Sequence, residues 1–266
     1  QRAGVSILGL GNKGAGSGAL AQALLLTASL AFGQGASATP VYEGESASLD
    51  VGGDVKGFYF ATIPYTHFLM PEDPTAQGAV DVRLKADGRI GDFLTYEAHH
   101  QATAILGGAS GEDADVGLSP SLQSATNAYP QALALAWQAV SSPQLTPAGR
   151  IDRLNLKLVI PHLSVTAGRQ AITFGNGYLF TPMDLVAPFN PTFIDTEYKP
   201  GIDALRAEGF VGTSGQVSGV VAYLGSWDKE GMAVALQGSA TLGVWDVGVF
   251  MASIRGDGVY GVSTAG

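Results

Sequence analysis

The sequence predicts an all-β protein: an antiparallel transmembrane β-barrel that is partial, with about 9–10 strands present of a larger even-numbered barrel. Three observations predict this fold class. Apolar and polar residues alternate along many short stretches, short and long connections alternate between those stretches, and an export signal precedes them. The composition agrees, because 14% of the residues are charged, whereas a soluble domain has roughly 25%.

An apolar stretch near the beginning of the chain predicts a secretory signal peptide over residues 1–38. Arg2 and Lys13 are basic, and residues 19–32 form an apolar core that is too short to span a membrane as a helix. The small residues Ala36-Ser37-Ala38 form a typical cleavage site, and we expect cleavage after Ala38. The alternative for the apolar core is a buried helix.

The remainder, residues 39–266, is predicted to be the N-terminal part of the barrel, because it carries the period of two that is typical of half-buried strands. In a barrel wall of this kind, the apolar set faces lipid and the polar set faces the lumen. Residues 132–140 fit either a short helix or an added strand. The predicted strands are 47–60, 80–87, 92–101, 153–160, 163–170, 202–211, 217–224, 232–242 and 246–255.

The connections between these strands give a second indication of a membrane barrel. Short connections such as Pro161-His162 and Gly212–Gly215 alternate with long ones, at about 61–78, 102–149, 171–201 and 225–231. Outer-membrane barrels have short turns on one side of the membrane and long loops on the other. Residues 263–266 are predicted to form no strand, and we expect the sequence to be cut off inside the barrel.

A set of short motifs between residues 150 and 206 resembles a known family. The motifs are Arg150-Ile151-Asp152-Arg153, Gly168-Arg169-Gln170, Gly175-Asn176-Gly177, Pro182-Met183-Asp184-Leu185, Pro188-Phe189 and Pro200-Gly201-Ile202-Asp203-Ala204-Leu205-Arg206. In their order and spacing they resemble porin-like outer-membrane β-barrel proteins of Gram-negative bacteria, from an uncharacterised branch. The resemblance covers about a fifth of the chain. It implies that the long connection 171–201 folds inward and narrows the lumen.

Charged residues on and beside that connection are the candidate site, because charges on opposite walls of a lumen select solutes by charge. An alternative for Arg169 and Asp184 is a structural pair that ties the connection to the wall. The net charge of −9 favours cations or neutral solutes over anions. The predicted constriction and lumen residues are Asp184, Asp195, Glu197, Arg206, Arg169, Arg153, Lys157 and Arg83.

Other classes of function have weaker support in the sequence. The net charge argues against nucleic acid, and the absence of cysteine excludes disulfides and thiolate metal sites. We expect no cofactor and no metal. His99 and His100 are neighbours on a predicted strand and would face opposite sides, so they would not bind one metal ion together. No G-x-S-x-G motif is present, and we expect that the chain is not an enzyme.

The sequence therefore predicts an outer-membrane channel for passive or selective diffusion of small solutes. Two alternatives remain open: a plugged barrel that acts as a scaffold or adhesin, and an outer-membrane hydrolase. The predicted location is the outer membrane of the cell. The predicted partners are membrane lipid, lipopolysaccharide and small solutes in the lumen, and a homo-oligomer is compatible with this expectation.

Overall fold

The computed structural model describes residues 24–30, 36–63, 75–106, 130–139, 145–174, 185–186 and 198–265. These residues form one antiparallel sheet of 13 strands, and the described part of the chain contains no helix. The strands are β1 (Leu24–Leu30), β2 (Ala36–Glu43), β3 (Ala47–Ile63), β4 (Thr75–Ile90), β5 (Leu94–Leu106), β6 (Ala136–Gln138), β7 (Leu145–Ile160), β8 (Leu163–Gln170), β9 (Ile202–Val211), β10 (Gly215–Tyr223), β11 (Met232–Leu242), β12 (Trp245–Ile254) and β13 (Asp257–Ala265).

The strands are ordered almost as they follow one another in the chain. From β3 to β5 and from β7 to β13, each strand pairs with the next one along the sequence, and β5 pairs with β7. Two strands each pair with two others along one of their edges: β3 pairs with β1 and β2, and β7 pairs with β6 and β8. Within the described residues, β13 pairs only with β12. The sheet is therefore open.

The prediction of an all-β chain is confirmed, and each of the predicted strands overlaps a strand of the sheet. Residues 132–140 contain the short strand β6, not a helix. The prediction that residues 263–266 form no strand is wrong for 263–265, because β13 extends to Ala265. A tight turn starts that strand: Arg255 and Gly256 both have positive φ angles, of 52° and 91°, as a two-residue hairpin requires.

Strand β1 lies inside the predicted signal peptide. Its residues pair with the end of β3, from Leu24 opposite Ile63 to Leu30 opposite Gly57. Residues 1–23 and 31–35 are outside the described residues. Cleavage after Ala38 stays a prediction, and it would remove β1 from the sheet.

The two faces of the sheet differ in chemistry. Along β4, Asp81 and Arg83 are buried on one face, whereas Val80 and Leu84 are exposed on the other. The strand register continues the two faces from β4 to β12. The first face carries charged and polar side chains from β4 to β9, and from β9 to β12 it also carries a buried apolar cluster that includes Ile202, Val220, Ala235 and Phe250. We call the first the polar face and the second the apolar face. Exposed side chains on the apolar face include Val80, Leu84, Leu154, Leu156, Leu158, Leu205, Val217, Val221, Val234, Leu236, Val249 and Met251.

A β-bulge in β7 interrupts the alternation of the two faces. His99 lies opposite Arg153 and His100 lies opposite Ile151, so Asp152 has no partner in the ladder. Neighbours in a regular strand would face opposite sides. The bulge instead lets the side chains of Asp152 and Arg153 both be buried on the polar face.

The described part of the chain contains no helix that is long and apolar enough to cross a membrane.

Candidate functional site

Asp152 is the centre of a charged cluster on the polar face. Its carboxylate oxygens lie 2.6 Å from Arg83 Nη1, 2.8 Å from Arg153 Nη1 and 3.6 Å from Arg150 Nη2. All four side chains are buried. One carboxylate is therefore shared by three guanidinium groups, and Asp81 and Glu97 are further acidic groups that act on Arg150 and Arg153.

Tyr198 covers the neighbouring cations of this face. The ring centroid lies 4.1 Å from the guanidinium carbon of Arg83, 4.3 Å from Lys85 Nζ and 4.8 Å from Lys56 Nζ. Lys85 also donates a hydrogen bond to the Tyr198 hydroxyl and lies 3.3 Å from a carboxylate oxygen of Asp54. An aromatic face attracts cations, so the end of the connection between β8 and β9 is held against β3 and β4.

The residues after Tyr198 are fixed directly on the bulge of β7. The Gly201 N–H donates to Asp152 Oδ1 at 3.2 Å, and Arg153 Nη2 donates to the Lys199 carbonyl oxygen. A Cβ atom on Gly201 would lie 2.0 Å from the Asp152 carbonyl oxygen. Glycine is therefore required at this position for the chain to approach the bulge so closely.

The beginning of the same connection packs on the polar face farther along the sheet. Ile172 and Phe174 are fully buried there, with Val186, against β9 to β12. The rings of Phe174 and Phe250 are 5.1 Å apart and tilted by 56°. The described parts of 171–201 thus pack against the polar face. The prediction that this connection folds into a lumen is compatible with that packing and stays a prediction.

Arg169 lies on the other side of the sheet from the charged cluster. Its Nε donates to Asp203 Oδ1 at 2.8 Å, and its Nη atoms donate to the carbonyl oxygens of Ile151 and Leu133. Asp203 also accepts from the Ala132 N–H. Although it stands on the apolar face, the Arg169 side chain is only 1% exposed. It joins β7, β9 and the segment before β6 at the place where β8 ends.

A polar cavity of about 280 Å³ lies on the polar face between β5, β7, β8 and β9. Arg153 is shared between this cavity and the charged cluster. The charged side chains that line the cavity belong to Glu97, Arg153, Lys157, Arg206 and Glu208, and Thr166 adds a hydroxyl group.

The predicted site residues divide into three groups. Arg83, Arg153, Lys157 and Arg206 lie on the polar face, where Arg83 and Arg153 share Asp152 and the last three line the cavity. Arg169 is separated from them and bound to Asp203. The acidic members Asp184, Asp195 and Glu197 lie outside the described residues. The role of these residues in a lumen stays a prediction.

The two adjacent histidines point to opposite faces. On the polar face, His99 Nε2 is 2.8 Å from Asp87 Oδ1. On the apolar face, His100 stacks with Trp137 at a centroid distance of 6.3 Å. Among the described residues, no group of three or more His, Asp or Glu side chains is placed to hold a metal ion.

Sequence reasoning missed several members of the cluster. Arg150 and Asp152 were part of the family-like motif but not of the predicted site, and Tyr198 was not part of that site either. The motifs themselves were the usable indication, because Arg150–Arg153, Gly168–Gln170 and 198–203 meet at the bulge.

Comparison with known proteins gives no assignment. No protein-family model, no curated protein and no solved structure matches this chain. The function therefore has to be inferred from the side chains of the two faces.

Proposed function

We propose that this chain forms part of an outer-membrane β-barrel whose polar face lines a channel for the diffusion of small solutes. The apolar face carries the proposal. Its aliphatic side chains are exposed from β4 to β12, and Leu156 in the second half of β7 is 54% exposed. Soluble proteins rarely expose a continuous apolar surface larger than a few hundred Å². The wall of a transmembrane barrel places such a surface against lipid.

The lengths of the strands support the same proposal. Strands β9 to β13 have 9 to 11 residues, and a tilted strand needs about 9–11 residues to cross a bilayer.

Exposed aromatic residues lie towards both ends of the strands. Membrane barrels carry aromatic girdles at both interfaces, where a ring lies between hydrocarbon and water. Towards the long connections are Trp137 and Trp227, with the Tyr223 ring packed at a tilt of 50° against Trp227 and a centroid distance of 4.9 Å, and near the short turns are Phe93, Phe210 and Trp245.

Single-channel conductance in a planar bilayer tests the channel directly. The full-length gene product, refolded in detergent, is expected to give discrete conductance steps. A Lys157→Trp variant places a bulky ring on the polar face and is expected to lower the step size. Leu156→Trp, the neighbouring position on the apolar face, is the matched control and should leave it unchanged. A folded, heat-modifiable protein without conductance would contradict the proposal.

A plugged barrel that acts as a scaffold or adhesin is the second candidate. The observation that favours it is the packing of Ile172, Phe174 and Val186 against the polar face, because side chains in that place would fill part of a lumen. Absence of conductance in the folded protein would support this candidate. An assay of lipid or ester hydrolysis, repeated after substitution of His99, would then test the hydrolase alternative.

A further inference from the structure

One row of the polar face brings three hydrogen-bond donors together from neighbouring strands. Lys157 of β7 lies opposite Thr166 of β8, which lies opposite Arg206 of β9. Strands are about 4.8 Å apart, so the Cα atoms of Lys157 and Arg206 are separated by about 10 Å. All three residues line the polar cavity. An ammonium, a hydroxyl and a guanidinium group therefore share one small space.

Two of these donors have unused hydrogen-bonding capacity. Arg206 Nη2 is 2.8 Å from Glu208 Oε1, but Arg206 Nε is buried without a hydrogen-bond partner. Neither a hydrogen bond nor an ion pair joins Lys157 to any residue in the part of the chain that the structure describes. A buried donor without an acceptor is unfavourable. An oxygen-bearing anion in the cavity would supply acceptors to the Lys157 ammonium group and to the Nη atoms of Arg206, whereas Arg206 Nε is buried beyond the reach of a solute.

The carboxylates of the cavity already have partners. Glu97 accepts a hydrogen bond from Asn155 Nδ2 at 2.9 Å. Glu208 accepts one from Gln216 Nε2 at 3.1 Å, besides its ion pair with Arg206. These acidic groups are therefore less available to an entering cation than Lys157 and Arg206 are to an entering anion.

The charge balance of the cavity also favours an anion. Lys157 and Arg206 line it against Glu97 and Glu208, and Arg153 is a third cation whose partner Asp152 is shared with Arg83 and Arg150. The excess of positive charge beside the cavity therefore comes from this cluster of three arginines around one carboxylate. The net charge of −9 for the whole chain does not describe this surface. The total charge suggests a preference for cations or neutral solutes, whereas the residues around this cavity support a preference for anions.

We propose that the row Lys157–Thr166–Arg206 is a binding subsite for a small solute that bears a carboxylate or phosphate group. Hydrogen bonds from charged donors to an oxyanion are stronger than those between neutral groups. The cavity of about 280 Å³ lies just below the roughly 300–1,000 Å³ of sites for drug-sized ligands, which is enough room for a carboxylate or phosphate group. The subsite gives the channel a preference for anions, and this consequence rests on the proposed function.

Reversal potentials in a KCl gradient test the preference for anions. The wild-type channel is expected to favour chloride. Lys157→Gln and Arg206→Gln should each shift the permeability ratio towards potassium. Lys229→Gln is the matched control, because it removes the same charge from an exposed lysine between β10 and β11 and should have no effect.

Inorganic phosphate probes the subsite itself. Phosphate is expected to reduce the chloride current of the wild-type channel. In the Arg206→Gln channel, about tenfold more phosphate should be needed, which corresponds to the loss of one charge-assisted hydrogen bond. Lys157 has no structural partner among the described residues, so Lys157→Gln keeps the test valid if Arg206→Gln does not fold.

The outcomes separate this inference from the proposed function. If the channel conducts without a preference for chloride, the subsite is refuted and the proposed channel is not. The same conclusion follows if the channel prefers chloride and both substitutions leave that preference unchanged. If the folded protein does not conduct, phosphate binding is measured by calorimetry in detergent. Binding that is weakened by Lys157→Gln but not by Lys229→Gln supports the subsite without a channel. Absence of binding overturns the subsite as well.

Discussion

Replacing Asp152 by Asn removes the carboxylate that three buried arginines share. Its oxygens are 2.6 Å, 2.8 Å and 3.6 Å from the nearest nitrogens of Arg83, Arg153 and Arg150. Removing one partner of a buried ion pair typically costs about 3–5 kcal/mol, because the remaining charge stays buried. Asn has nearly the same size and can still accept the hydrogen bond from the Gly201 N–H. We therefore expect the free energy of unfolding to fall by about 3–5 kcal/mol for electrostatic reasons.

The assay is equilibrium unfolding by urea of the full chain in detergent micelles, followed by far-UV circular dichroism. Asp81→Asn is the matched control: Asp81 is also buried on the polar face, but it accepts from the neutral Gln101 Nε2 and Thr103 Oγ1, both at 2.6 Å. Hydrogen bonds to a charged group are worth about 1.5–3 kcal/mol each, but the amide oxygen of an asparagine can still accept both of them, so this variant is expected to lose less stability than Asp152→Asn. Equal destabilisation in the two variants, or a loss below about 1 kcal/mol for Asp152→Asn, would refute the reasoning.

Three further predictions concern other contacts of the fold. Gly201→Ala places a Cβ atom 2.0 Å from a carbonyl oxygen of β7, so the connection 171–201 should be cleaved faster by a protease. Gly209→Ala is the control, because the nearest atom to its added Cβ is 3.8 Å away, and it should leave the rate of proteolysis unchanged. Arg169→Met leaves a carboxylate of β9 without its ion pair, and urea unfolding should show a loss of about 3–5 kcal/mol; an unchanged midpoint would oppose this. A hydrogen bond from the Ser226 hydroxyl lowers the pKa of Asp228, so order in residues 224–231 should persist below the ordinary pKa of an aspartate and be lost only as the pH falls through the lowered pKa. An NMR titration of the Asp228 carboxyl with a midpoint at or above the ordinary value would contradict it.

The positions of the strands could be predicted because their signal is local. Apolar and polar residues alternate at a period of two, and β8 and β9 begin and end at the predicted residues. Strand β13 was missed because its sequence is rich in glycine and small residues, and its strand conformation depends on pairing with β12. Pairing between strands is a tertiary interaction that no local pattern contains.

The candidate site was predictable only in part, for a related reason. Strict alternation placed Lys157 and Arg83 on the polar face, as the structure does. The bulge adds Asp152 to that face. The residues around Asp152 show no pattern that predicts a bulge. Arg169 is the opposite case. Its charge suggested a position in the lumen, but its hydrogen bond to Asp203 holds it on the apolar face.

The central claim is that the apolar face contacts lipid and the polar face contacts water. The chain contains no cysteine, so single-cysteine variants need no prior substitution. We would label Leu156→Cys and Lys157→Cys with a water-soluble maleimide in the full chain inserted into lipid vesicles. The account predicts rapid labelling at position 157 and protection at position 156 until the protein is unfolded in denaturant. Equal labelling of the two positions in the folded, inserted protein would contradict it.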